Sequence, residues 1–196
     1  MLDTQDEQCK TPGIVLFTTL VWLSVLHVNE IELRAEDETM ALILQSGAFN
    51  DGDEIPSSYT CEGRDIAPPL AWDGVPAETK SLVLIVDDPD APDPKAPKMT
   101  WVHWVLYNIP ADTTDLPEGG DSDDLPPGTG TGLNDWRRTD YGGPCPPIGR
   151  HRYFFKLYAL NEKLRFRRNP TRKEVETAMA SHIIDKVELI GTYKKK

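Results

Sequence analysis

Two carboxylates, two imidazoles and two phenols in this sequence stand where apolar runs meet proline-rich turns. Asp88 and Asp90 lie in Asp88-Pro89-Asp90-Ala91-Pro92, directly after the run SLVLIVD. His103 sits near the start of TWVHWVLYNIP, and Tyr141, His151 and Tyr153 are spaced along YGGPCPPIGRHRY. An imidazole donates one hydrogen bond when neutral and two when protonated, and an adjacent carboxylate favours the protonated form. His103 and His151 as donors, with Asp88 orienting an imidazole, would suit a small phosphate or carboxylate. Proline fixes backbone shape, so a pocket held by Pro-rich turns binds without paying ordering entropy. The rigid turn would aim His151, read as the last residue before a strand, at a fixed point at the end of a sheet.

Other chemistry fits the same residue types. Two histidines and one carboxylate can make an open metal site, but facial geometry is not visible in sequence. Ser57, Ser58 and Ser81 lack a recognisable nucleophile motif, which argues against hydrolytic nucleophilic catalysis. Taken singly, each residue has a plainer reading: Asp and Pro of DPDAPDPKAP make turns, and His103 and His151 are satisfied core residues.

The elements that must position these groups are mostly strands. SLVLIVDD (81–88) is a short continuous apolar run, as in a strand buried on both faces. ALILQSGAF and KVELIGTY read as further strands near the two ends of the domain. Alternation in VHWVLYNIP puts His103, Val105, Tyr107 and Ile109 on one face. In HRYFFKLYAL it does the same for His151, Tyr153, Phe155, Leu157 and Ala159. DGDEIP, APPLAWDGVP, DPDAPDPKAP and GGPCPPIG read as turns. TRKEVETAMASHII (171–184) reads as the one clear helix, opened by a capping box of Thr171 and Glu174, with Val175, Ala178, Met179 and His182 on one stripe. Strands with Pro-rich turns and one late helix predict a mainly antiparallel β-sandwich.

Composition bounds the function. With 196 residues, 39% of them hydrophobic, the chain has enough for one packed domain. A formal net charge of −11 argues against nucleic acid or an anionic membrane as main partner. Much of the acid lies in residues 111–135, read as a long solvated loop. Residues 14–28 are apolar but shorter than the ~20 residues of a span. They have the length of a signal-peptide apolar region, yet acidic residues precede them and no small-residue cleavage site follows. The favoured reading is a domain over 40–196, starting near Met40, with 1–39 as an N-terminal extension. A start near Met40 implies a cytoplasmic protein; otherwise residues 14–28 anchor or export it. Of three cysteines, Cys61 and Cys145 sit beside turns inside the domain. Two buried or half-buried thiols are expected; a Cys61–Cys145 bridge is the alternative, tied to an oxidising compartment.

DPDAP, then TWVHWVLYNIP, then GPCPPIGRHRYFFKLYAL, in that order, resemble the phosphatidylethanolamine-binding protein family, most closely its prokaryotic branch, often labelled Raf-kinase-inhibitor-like. The resemblance covers about residues 41–193 and includes SSYTCEG, PPLAW and the terminal LIGTY. It implies a large antiparallel sheet packed on a smaller one, with one or two peripheral helices. It also implies a pocket for phosphate-like head groups, with no enzymatic activity and no cofactor or metal. Carried over by motif, the ligand-binding residues would be Asp88, Asp90, Pro92, Trp101, His103, Tyr141, Gly143, Pro144, His151 and Tyr153, with backbone donors near Pro146. The turn GPCPPIG is shorter than that of animal members, so lipid-head-group and kinase specificity do not carry over. The partners expected are a small anion, a protease or kinase that the protein inhibits or modulates through its surface, and a second copy of the chain as a homodimer.

Overall fold

The structure, a computed structural model, describes residues 41–120 and 124–196. The readings made for residues 1–39, including the apolar segment 14–28, lie outside these. Strand β3 (Ser81–Asp88) is buried at all eight positions. It lies in the middle of a five-stranded antiparallel sheet, between β4 (Trp101–Ile109) and β7 (Arg150–Leu160). The edge strands are β6 (Gly130–Thr131) beside β4 and β8 (Ile183–Lys194) beside β7. A smaller sheet is made of β1 (Ile43–Ser46), β2 (Leu70–Asp73) and β5 (Asp115–Leu116), with β2 central.

Alternation sorts the large sheet into two apolar layers. Leu82, Leu84 and Val86 of β3 join Tyr153, Phe155, Leu157 and Ala159 of β7 against Leu44, Leu70, Trp72 and Leu116 of the small sheet. Val83 and Ile85 face the other way, onto Val175 and Met179 of helix α1 (Arg172–Met179). Each Val, Leu, Ile, Phe or Met side chain among these stabilises the fold by roughly 1.5–3 kcal/mol when fully buried. This two-sided cover is why β3 has no polar face. The mainly β sandwich with one helix follows the sequence pattern.

Several elements depart from that pattern. The face expected for β4 is split, because bulges interrupt its pairing with β3 between Val86 and Asp87 and between Leu82 and Leu84. Each bulge shifts the alternation by one residue. His103 therefore packs beside Tyr153 while Val105 and Tyr107 turn to the helix side. Helix α1 keeps its capping box at Thr171 and Glu174 but ends at Met179, not near residue 184. Ile183 and Ile184 instead begin β8, where β-branched side chains favour the strand. PPLAW, read as part of a turn, supplies β2, whose Leu70 and Trp72 are buried. The acidic stretch 111–135 is not one solvated loop: it lends β5 to the small sheet and β6 to the large one. His151 is the second residue of β7 and lies inside the strand.

Cys61 and Cys145 are joined in a disulfide with Cα atoms 5.4 Å apart, which corrects the expectation of two thiols. Sequence shows neither thiol's neighbour; the fold brings the 3-10 turn Ser57–Tyr59 and the Pro-rich turn side by side, with Cys61 N–H donating to the Pro144 carbonyl. Among the described residues no helix is long and apolar enough to cross a membrane.

Two outcomes follow for stability. A chain beginning at Met40 is expected to fold, since all the strands of the two described sheets lie beyond that point; circular dichroism showing an unfolded or insoluble product would contradict this. Closing a loop of 84 residues restricts the unfolded chain, so reduction or Cys61→Ser should lower Tm by about 5–15 °C. An unchanged melting curve under full reduction would contradict a structural role for the bridge.

Candidate functional site

The last two residues of β3 are both aspartates, and alternation sends them to opposite faces. Asp87 accepts a hydrogen bond from Lys156 Nζ at 2.8 Å and lies 3.6 Å from Arg172 of α1, fastening the helix side. Asp88 points to the other face. Its Oδ2 lies 2.7 Å from His151 Nδ1, and its Oδ1 accepts from the Asp90 amide at 2.8 Å. Burial pushes the Asp88 carboxyl above its ordinary range, opposed by these two hydrogen bonds.

The protons of the Asp88–His151 pair can be counted. His151 Nε2 is 2.9 Å from the Ile148 carbonyl, which only accepts, so Nε2 carries a hydrogen. A bare Nδ1 facing a bare carboxylate would repel it. A second proton is therefore held between Nδ1 and Asp88, as imidazolium and carboxylate or as imidazole and carboxylic acid. Both ring nitrogens are engaged within the protein, and His151 is fully buried. His151 is thus no direct donor to a ligand in this arrangement, contrary to the sequence expectation. For the same reason it has no nitrogen open to a metal. Among the described residues no group of three or more His, Cys, Asp or Glu is arranged to hold a metal ion.

Two turns are locked around the pair. Asp90 accepts from Arg152 three times: from the backbone N–H at 2.9 Å, from Nε at 2.9 Å and from Nη2 at 2.8 Å. The guanidinium holds the Asp90 carboxyl below the usual carboxylate range and ties the DPDAP turn to β7. In the second turn, Tyr141 Oη donates to the Tyr59 carbonyl at 3.2 Å and Gly143 N–H to Asp65 Oδ1 at 2.7 Å. A Cβ on Gly143 would lie 2.5 Å from that Tyr59 carbonyl oxygen, so only glycine permits the approach. The disulfide completes the attachment.

Between these turns lies a cavity of about 360 Å³. Of the residues expected from sequence, Asp88, Pro92, Trp101, His103, His151 and Tyr153 line it. Asp90, Tyr141, Gly143 and Pro144 do not; their polar groups are spent on holding the turns. Near Pro146, the two prolines Pro146 and Pro147 have no N–H to offer and the Gly143 amide is taken by Asp65. The wall is completed by Ala91, Met99, Trp136, Cys145, Pro146 and Pro147. Trp136 is the main residue missed in sequence. It stacks edge-on against Trp101 at 5.3 Å and His103 at 5.2 Å between ring centres. Buried Asn134 positions it by accepting from the Trp136 and Arg138 amides. The Asn-Asp-Trp run ending the polar stretch was the available signal.

Three polar atoms on the lining residues have no protein partner: Trp101 Nε1, His103 Nε2 and Tyr153 Oη. Burial and neighbouring Asp88 raise the Tyr153 phenol, so it stays protonated. His103 differs from its expected role as a donor. Its Nδ1–H donates to the Gly142 carbonyl at 2.6 Å, which leaves Nε2 with a lone pair. Burial lowers the His103 pKa to about 4, so at neutral pH the ring is an uncharged acceptor. The residues lining the cavity thus carry two buried donors and one buried acceptor that no protein group pairs.

Residues 45–194 match the model of the family described as phosphatidylethanolamine-binding protein. A UPF0098 protein of Methanothermobacter thermautotrophicus is 50% identical over 153 residues, covering 78% of this chain and 98% of that one. A crystal structure of a putative phosphatidylethanolamine-binding protein homologue from Chlamydia trachomatis is 42% identical with a TM-score of 0.72, covering 80% of this chain and 99% of that one. E. coli YbcL, described as a new member of the mammalian family, is 34% identical with a TM-score of 0.72, covering 79% of this chain and 99% of that one. The sequence motifs, the paired sheets and these relatives agree: the chain belongs to the phosphatidylethanolamine-binding protein family.

Proposed function

We propose that this protein is a binding module for a small oxyanion, of phosphate or carboxylate type, held in the cavity between the two Pro-rich turns. The observation that supports this reading is the set of three buried polar atoms without protein partners on residues that line an otherwise apolar, pre-shaped cavity. A buried polar atom left unpaired costs about 1–3 kcal/mol, so a ligand that completes it gains that amount. Trp101 Nε1–H and Tyr153 O–H are donors suited to anion oxygens. No Lys or Arg lines the cavity, so affinity comes from shape and directed hydrogen bonds. Neither a reacting nucleophile nor a metal is needed for this role, and we read the protein as a non-enzyme.

A second reading, modulation of a protein partner such as a protease or kinase, is supported by the cavity mouth. Met99, Trp136 and the neighbouring Ile148 are 48%, 40% and 57% exposed. The disulfide also bears on location. Thiols are kept reduced in most cytosols, so the Cys61–Cys145 bridge supports export through the N-terminal segment over the cytoplasmic reading.

Calorimetric titration with inorganic phosphate at neutral pH tests the primary reading. Saturable binding with one site per chain is expected. Asp88→Asn should weaken it about tenfold or more by disturbing the ring that walls the cavity, with a loss of stability of about 1–3 kcal/mol. His151→Gln should act in the same direction. No saturable binding of phosphate would overturn the reading.

A further inference from the structure

Beyond the class of ligand, the cavity's donors and acceptors specify its protonation. We infer that the bound oxyanion must carry a hydrogen of its own, directed at His103 Nε2, so that phosphate monoesters, phosphonates and inorganic phosphate are accepted and anions without an O–H are rejected. This rests on the anion-binding reading above.

The hydrogen-bond inventory carries the inference. Trp101 Nε1 can only donate, Tyr153 Oη can donate or accept, and His103 Nε2 can only accept while the ring is neutral. The last point is fixed by the fold. The Gly142 carbonyl at 2.6 Å holds the hydrogen on Nδ1, and the segment cannot retreat, since Gly142 N–H donates back to the His103 carbonyl at 3.2 Å. Trp136 and Tyr153 pack edge-on against the ring at 5.2 Å, so it cannot turn over freely. A ligand satisfying all three atoms presents at least one oxygen acceptor and one O–H. Hydrogen phosphate does so. Sulfate, a sulfonate or a phosphodiester has no hydrogen at neutral pH and would set an oxygen lone pair against the lone pair of Nε2. Sites with an obligatory buried hydrogen bond reject analogues that cannot make it by large factors.

An anion without a hydrogen can bind only if His103 first takes a proton from water. The titratable groups lining the cavity with it are Asp88 of β3 and His151 and Tyr153 of β7, and Tyr141 adjoins the Gly142 carbonyl. Burial is the main cause that lowers its pKa to about 4, with the nearby His151 acting in the same direction. Each pH unit above that value costs a factor of ten, so at pH 7 the handicap approaches about a thousandfold. It should shrink about tenfold per unit as the solution is acidified, because protonated His103 becomes a donor.

Isosteric pairs test this by calorimetry on the full chain: phosphate against sulfate, and methylphosphonate against methanesulfonate. At pH 7 the phosphorus ligands are expected to bind at least 100-fold more tightly than their sulfur counterparts, with the gap narrowing by about tenfold per unit between pH 7 and pH 5. His103→Gln supplies an N–H donor and should let sulfate bind within about tenfold of phosphate. Sulfur and phosphorus ligands of equal affinity at pH 7, or a gap that does not change with pH, would overturn the inference while leaving an anion site in place. Failure of all four to bind would overturn both. Should His103→Gln not fold, the pH dependence of the wild-type gap decides alone.

Discussion

The buried pair of Asp88 and His151 is the interaction on which the site depends. It joins the end of β3 to the start of β7, two neighbours in the large sheet, at the rear of the cavity. Removing one member of such a pair leaves a buried polar group without its partner and costs about 1–3 kcal/mol. Its remaining valences must therefore be met, and both flanking turns meet them. The DPDAP turn gives the Asp90 N–H to Asp88, and the Pro-rich turn gives the Ile148 carbonyl to His151. Turn shape and pair geometry thus determine one another. The proline content of both turns then reads as a requirement: a flexible turn would leave one of these partners out of place.

The same economy of polar groups makes the cavity selective. Almost every polar atom near it is consumed internally: Asp90 by Arg152, Gly143 by Asp65, Tyr141 by Tyr59. What remains for a ligand is small and directional. Asp87 shows how far one step along a strand separates tasks. Its carboxylate, buried on the opposite face, holds Lys156 and approaches Arg172, docking α1 on the side away from the cavity. The helix covers the second apolar layer and keeps the central strand free of water, so that its end can serve as a fixed platform.

Much of this was legible in the sequence because it depends on short-range pattern. The apolar run Leu82–Val86 of β3, the strict alternation of β7 and the Thr171–Glu174 capping box each state their structure locally. What escaped was set by distant partners. The bulges of β4 arise in its register with β3, and they decide that His103 faces Tyr153. Nothing in WVHWV alone reports that Gly142, 39 residues away, fixes the hydrogen on Nδ1 and turns an expected donor into an acceptor. Nor does local sequence bring Cys61 to Cys145 across 84 residues, or place Trp136 over the cavity. The motif residues Asp90, Tyr141, Gly143 and Pro144 were expected as ligand contacts because the family resemblance carries them over with Asp88 and His151. In three dimensions they hold the turns.

The central claim is that the fold sets the hydrogen positions of its two cavity histidines before any ligand arrives. Nitrogen-15 NMR of the imidazole groups at neutral pH measures this directly, with the four histidines of the chain assigned by substitution. The account predicts a neutral His103 with hydrogen on Nδ1 and a bare Nε2, remaining so down to about pH 5, and a His151 with hydrogen on Nε2 at neutral pH. A His103 that carries hydrogen on Nε2 at pH 7, or that titrates near the ordinary histidine value, would contradict it.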